Sequence, residues 1–146
     1  MSLEIEKRER EGISILDLKG RITMGDEVSA FRKIVQELVA AGSQKLILNL
    51  QHVDYIDSTG LGAVVMCSTA FRNAGGSSKL LNLNRRNIEL LVTTKLATIF
   101  EIFDNEQDAV NSFFPGRALK RFDILNFVEQ EDHRRAIRGT GSAAAC

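Results

Sequence analysis

The sequence has little of what metal sites, disulfide frameworks and membrane spans require. It contains two cysteines, Cys67 and Cys146, and two histidines, His52 and His133, among 146 residues. So few ligands form neither a disulfide framework nor a His/Cys metal cluster. The longest apolar runs are about half the length of a membrane-spanning helix, and the first eight residues lack an apolar signal segment. We therefore expect a reduced, cytoplasmic protein with no metal, no cofactor and no membrane association.

The chain also lacks an excess of charge of either sign. Its 19 Lys and Arg residues balance 19 Asp and Glu residues, so the formal net charge is zero. Proteins that bind nucleic acid through the phosphate backbone carry a positive surface, so we expect no nucleic-acid partner. The hydrophobic and charged fractions, 44% and 26%, are typical of a globular protein. The length suits one domain, or one domain with an extension.

Hydrophobic periodicity predicts a hairpin followed by alternating helices and strands. The hairpin comprises an edge strand at 3–10 and a second strand at 13–18. Apolar residues spaced by three and four predict helices, whereas short apolar runs predict strands. The further predicted elements are a helix over 26–41, a strand at 45–50, a helix from Ser58, a strand at 79–83, a helix capped by Asn84, a strand at 99–103 and a short helix capped by Asn105. This order is typical of an α/β fold with a mostly parallel sheet.

Pro115, the only proline, separates the predicted domain 1–114 from a C-terminal extension, 115–146. Apolar residues recur every three positions in the extension and predict an amphipathic helix over about 117–132. Beyond it, 139–146 are small residues, which we expect to be disordered. Two interpretations of the helix stay open: it covers apolar surface of its own domain, or it contacts a partner or a second copy.

A buried strand followed by a polar turn carries the clearest functional chemistry. The apolar run 45–50 predicts the strand, and the linker 51–57 returns from it with Tyr55 and Ile56 pointing inward. Ser58 begins the next helix and lies with Thr59 at its exposed N-terminus. This junction is where a modifiable or reactive hydroxyl is expected.

Two glycines, Gly60 and Gly62, fall in the first turn of that helix. Each lowers helix propensity by about 1 kcal/mol relative to alanine. We infer that a backbone segment or a partner comes close to this turn.

The hydroxyls of Ser58 and Thr59 have three interpretations. They could cap the helix, because a hydroxyl oxygen accepts one of its unpaired N–H groups. They could include a nucleophile, but Ile56 replaces the first glycine of the Gly-x-Ser-x-Gly pattern, and His52 is the only histidine in the domain to serve as a base. They could instead accept a phosphate, which a helix N-terminus tolerates and which adds about −1.5 to −2 charges.

Several stretches of the sequence resemble the STAS domain family, and most of all the bacterial anti-sigma factor antagonists. These stretches are 46–50, 53–62 with the run Asp57-Ser-Thr-Gly-Leu-Gly62, 74–76 and 94–104. The resemblance covers about residues 3–114. It implies a STAS-like sandwich in which a four-to-five-stranded, mostly parallel mixed sheet has helices mainly on one face.

The resemblance also implies a function, which is binding rather than catalysis. Such antagonists bind an anti-sigma factor that is itself a serine kinase with a Bergerat-type ATP site, and thereby release a sigma factor. Phosphorylation of the serine matching Ser58 ends the binding, with Thr59 as the alternative acceptor, and a serine phosphatase resets the switch. The expected partner-binding residues are Thr23, Met24, Asp26, Asp57, Ser58, Thr59, Gly60, Leu61 and Gly62.

One motif departs from the family pattern. Members commonly carry Gly-x-Leu-Asp after the second strand, where this chain has Gly20-Arg-Ile-Thr23. Thr23 keeps hydrogen-bonding ability without the charge, and Asp26 is a displaced substitute. This departure and the extra tail leave room for one alternative, a scaffold or transport-associated STAS module without a phosphorylation cycle. The other alternative is a serine hydrolase using Ser58. The sequence also leaves open a homodimer.

Overall fold

The computed structural model describes residues 3–122 and residue 124, which form one five-stranded sheet with four α-helices. The strands lie in the order β1-β2-β3-β4-β5, with β1 antiparallel to β2 and the other pairs parallel. The strands are β1 (Leu3–Arg10), β2 (Ile13–Ile22), β3 (Lys45–Ile56), β4 (Ser77–Leu81) and β5 (Ile102–Phe103). The helices are α1 (Asp26–Ala40), α2 (Ser58–Asn73), α3 (Arg85–Thr93) and α4 (Glu106–Asn111), and a 3-10 turn covers Ala97–Ile99.

The two faces of the sheet are covered unequally. Helices α1, α2 and α3 bury Phe31, Phe71 and Leu91 in the larger core cluster, against one face. The short α4 covers the other face with Ala109 and Val110. Buried parallel strands are apolar on both sides, which explains the near-continuous apolar run at the start of β3. The predicted α/β sandwich with helices mainly on one face is confirmed.

Both central strands run further than predicted. β2 continues to Ile22 instead of ending at Leu18, because shifts in its register with β3 let it pass through Gly20, whose φ is 114°. β3 continues to Ile56, so the linker predicted for 51–57 is wrong. The expectation that Tyr55 points inward is also wrong, since its side chain is 40% exposed. The extra length carries both strands to the junction at Asp57.

Two predicted elements near the C-terminus also differ. The strand predicted at 99–103 contains only Ile102 and Phe103, because the preceding residues form the 3-10 turn. The helix predicted from about 117 is not present over 117–122, which has no helical residue. Further along that range Ile124 is helical. The remaining residues of the range and the tail 139–146 lie outside the described residues.

Candidate functional site

The carboxyl ends of β2 and β3 meet at Asp57, which joins three segments. Its backbone N–H donates to the Ile22 carbonyl at 3.3 Å. One carboxylate oxygen accepts the Gly60 N–H at 2.7 Å, and the other accepts the Met24 N–H at 2.9 Å. We call this arrangement the Asp57 clasp. It fixes the loop before α1 against the N-terminus of α2, although the two segments are more than 30 residues apart in the chain.

The helix cap is Asp57 and not a hydroxyl. Asp57 has extended backbone angles, and its side chain accepts the Gly60 N–H as an N-cap does. Ser58 and Thr59 are exposed residues of the first helical turn. The interpretation in which their hydroxyls cap α2 is therefore wrong. Within residues 3–122 neither hydroxyl has a hydrogen-bond partner.

The two glycines of this turn have different surroundings. A Cβ on Gly60 would lie 1.9 Å from the Ile22 carbonyl oxygen, closer than any real contact. A Cβ on Gly62 would meet no atom within 4 Å. The prediction that a backbone segment comes close is thus confirmed at Gly60. At Gly62 the chain itself gives no reason for a glycine.

The electrostatics of the turn favour a charged Asp57. The N–H groups of Met24 and Gly60 donate to its carboxylate and hold the pKa of Asp57 below its ordinary value. The positive end of the helix macrodipole acts in the same direction. Ser58 therefore lies beside a carboxylate that is ionised at neutral pH.

The clasp brings most of the predicted partner-binding residues to one surface. Met24 is 73% exposed, and Asp26, Ser58, Thr59 and Gly62 are also exposed.

The other predicted residues are held by the chain itself. Leu61 is 6% exposed and packs in the core, and Gly60 is buried against Ile22. Thr23 is half-buried, and its hydroxyl donates to a Glu27 carboxylate oxygen at 3.2 Å. These three residues support the surface from beneath, but they contribute little exposed area to it.

The exposed side of α2 was predicted as part of this surface, and Met66, which the sequence prediction did not name, lies on it. It lies one helical turn after Gly62 on the exposed side of α2, and its side chain is 53% exposed. The signal was its spacing of four from Gly62 and eight from Ser58. We call Ser58, Thr59, Gly62 and Met66 the outer face of α2.

The position of His52 does not support a nucleophilic Ser58. His52 is an exposed residue of β3, opposite Lys19, four residues before the strand ends. At about 3.3 Å per residue, this places it roughly 13 Å from that end. A general base must lie within hydrogen-bond reach of its nucleophile.

None of the helices in the described part of the chain combines the length and the apolar content that a membrane span requires.

The family of the chain follows from comparison with known proteins. The STAS domain profile matches residues 4–109. The anti-sigma-B factor antagonist of Bacillus subtilis (strain 168) is 30% identical over 110 residues, which cover 75% of this chain and 99% of that protein. The chain belongs to the STAS domain family.

Solved structures show the same fold. The Bacillus cell fate determinant SpoIIAA, in its phosphorylated form, has a TM-score of 0.60 at 18% identity, covering 77% of this chain and 99% of that one. Murine Solute Carrier 26 family member A9, an anion transporter, has a TM-score of 0.58 at 19% identity. In that case the match covers 70% of this STAS-family chain but only 18% of the transporter chain.

Proposed function

We propose that this STAS protein is an anti-sigma factor antagonist switched by phosphorylation of Ser58. The observation that carries the proposal is the Asp57 clasp, which leaves the Ser58 and Thr59 hydroxyls exposed beside Met24 while it holds the surrounding backbone. The Bacillus subtilis relative, named an anti-sigma-B factor antagonist, supports the same class of partner. The protein would act by binding, in the cytoplasm, and not as an enzyme.

The proposed binding surface combines Met24 with the outer face of α2. Met24 and Met66 are both exposed, and methionine adapts to irregular partner surfaces. Gly62 lies between them with open space above its backbone. A partner backbone or side chain packed there would explain a glycine that the fold itself does not require.

Phosphorylation at this position changes the surface and leaves the fold in place. A kinase transfers the γ-phosphoryl group of ATP to the Ser58 Oγ: the new O–P bond forms as the bond to ADP breaks, and the serine proton leaves. The phosphate adds about −1.5 to −2 charges next to the ionised Asp57. Asp57 holds its loop through backbone N–H groups of Met24 and Gly60, so the clasp does not depend on the Ser58 side chain.

The negative charge and added bulk then act on the partner. A partner surface that fits closely over an uncharged hydroxyl loses that fit and gains an uncompensated charge. The solved phosphorylated form of the Bacillus protein SpoIIAA supports a phosphate on this fold. The proposed kinase is the anti-sigma factor itself, and a serine phosphatase would reverse the reaction.

The test is to incubate the full chain with ATP and each candidate anti-sigma factor serine kinase from the same genome. Intact mass and site mapping are expected to show one phosphate on Ser58. Ser58→Ala should remain unmodified, and the matched control Thr59→Ala should be modified as the wild type is. If Ser58→Ala is still phosphorylated, the acceptor is Thr59 or another residue and not Ser58.

Two alternatives would leave different results. A scaffold or transport-associated STAS module would bind its partner with no kinase reaction at Ser58. A serine hydrolase would react with a covalent serine probe in the wild type and not in Ser58→Ala. The small share of the anion transporter that this chain matches gives the first alternative little support.

A further inference from the structure

The outer edge of β5 has a carbonyl that the sheet does not use. β4 donates to β5 through the N–H of Leu80 to the Glu101 carbonyl and the N–H of Asn82 to the Phe103 carbonyl, each at 2.9 Å. Alternate carbonyls of a strand point to opposite sides. The carbonyl of Ile102, between them, therefore points away from β4 toward the free edge of the sheet.

Phe122 occupies that edge. Its backbone N–H donates to the Ile102 carbonyl at 3.0 Å, as a neighbouring strand would. Its side chain is half-buried and packs against the larger core cluster, and it lines a small cavity with Leu83 and Ile88. One residue thus satisfies the outward carbonyl and covers the apolar surface beneath it.

The segment that leads to Phe122 is fastened to the domain at three further points. The Asn111 side-chain amide donates to the Ala118 carbonyl at 3.0 Å. Arg117 pairs with Glu11 at 2.9 Å and lies over the Phe114 ring, 4.1 Å from its centroid. Arg121 lies 3.6 Å from the Glu101 carboxylate, beside β5. These contacts hold Arg117 near the β1–β2 turn and Arg121 beside β5, so the segment reaches the edge at its last residues.

This segment is an addition to the family domain. The STAS profile ends at residue 109, and the match to the Bacillus subtilis relative leaves 36 of the 146 residues of this chain unmatched while covering 99% of the relative. An exposed strand edge is a surface on which another chain can add a strand. The other edge strand, β1, carries charged side chains along its length, which discourage such pairing, whereas β5 consists of two buried apolar residues.

We propose that the outer edge of β5 is a strand-pairing surface and that Arg121 and Phe122 of the same chain occupy it. The segment keeps a second copy of the chain from pairing at this edge. The proposal does not depend on the function of Ser58. If the segment ending at Phe122 covers the outer edge of β5, this apolar edge strand needs no charged side chains or second chain to protect it.

The first test uses the unmodified full chain. Amide hydrogen exchange by NMR should show the Phe122 N–H protected at least about tenfold relative to an unstructured peptide. Light scattering across a range of concentrations should give the mass of one chain. An unprotected Phe122 amide overturns the proposal, and so does a protected amide in a dimer, because the tail would then lie on the partner copy.

The second test compares Phe122→Ala with Leu119→Ala. Leu119 lies in the same segment but is 37% exposed, so it is the matched control. Phe122→Ala should speed exchange of the backbone amide of residue 122 and should produce concentration-dependent self-association, while Leu119→Ala stays monomeric. Circular dichroism should show the sheet retained in both. A folded Phe122→Ala that stays monomeric at every concentration overturns the proposal.

Discussion

The inner and outer sides of the start of α2 differ in how far contacts within this chain account for the residues found there. On the inner side, Asp57, Gly60 and Leu61 are each fixed by contacts of this chain: the clasp, the Ile22 carbonyl and the core. On the outer side, the Ser58 and Thr59 hydroxyls have no hydrogen-bond partner within residues 3–122, and Gly62 has open space above its backbone. Met66 is 53% exposed, and its Sδ accepts from Arg32 of α1. The fold therefore accounts for the residues of the inner side, and the outer side is where we propose that a partner binds.

The largest expected effect is on the inner side, at Gly60→Ala. The added Cβ would overlap the backbone oxygen of Ile22, which has no rotamer with which to move away. We expect the free energy of unfolding to fall by about 3 kcal/mol. Urea unfolding followed by circular dichroism measures it. A change of a few tenths would show that β2 and α2 are not held together at this point.

The next effect is that of Asp57→Ala, which removes the cap of α2 and the acceptor for the Met24 N–H. A lost N-cap lowers the free energy of unfolding by about 1–2 kcal/mol. The loop carrying Met24 should also lose order, so its amide should exchange faster. The clasp would be contradicted if the Met24 amide kept its protection in this variant.

On the outer side, Gly62→Ala is expected to change stability and binding in opposite directions. The fold has room for the methyl group, so better helix propensity should raise the free energy of unfolding by about 0.5–1 kcal/mol. The same methyl group should weaken binding to the anti-sigma factor. Unfolding by urea and binding by calorimetry report the two separately, and unchanged affinity would mean that no partner packs at Gly62.

The smallest expected effect is that of Asp57→Asn, which removes the charge of Asp57 and keeps a side chain that can cap α2. Asn caps a helix about as well as Asp, but it has one acceptor oxygen where the clasp uses two, so Asp57→Asn should lower the free energy of unfolding at pH 7 by about 0.5 kcal/mol. Because the folded-state pKa of Asp57 is lowered, its charge stabilises the fold above the ordinary carboxyl pKa of about 3.9, and that contribution is lost as pH falls through the lower folded value. Urea unfolding from pH 7 to about pH 2 should therefore show a shallower acid loss in Asp57→Asn. An identical slope would mean that the charge adds nothing.

Local patterns predicted the elements whose causes are local. Asn84 and Asn105 accept the N–H three residues on, as their positions before apolar patterns indicate. The ends of β2 and β3 could not be found in this way, because the register shifts that carry them to the junction depend on pairing between distant segments.

Helical spacing places Gly60 and Gly62 on opposite sides of α2, because residues two apart lie about 200° apart around the axis. What Gly60 contacts could not be read in this way, since it depends on the path of Ile22. The acceptor for the Met24 N–H is likewise set by the tertiary fold. Ser58 itself was located in advance because the run 57–62 follows a buried strand.

In the function we propose, Ser58 controls binding from the outer side of α2 without altering the inner side. The most direct measurement is calorimetric titration of the anti-sigma factor kinase that modifies Ser58 with wild type, Ser58→Ala and Ser58→Asp. We predict that Ser58→Asp binds at least about tenfold more weakly, or 1.4 kcal/mol, with an unchanged unfolding curve, while Ser58→Ala binds as the wild type does. Equal affinities for the wild type and Ser58→Asp would contradict the account.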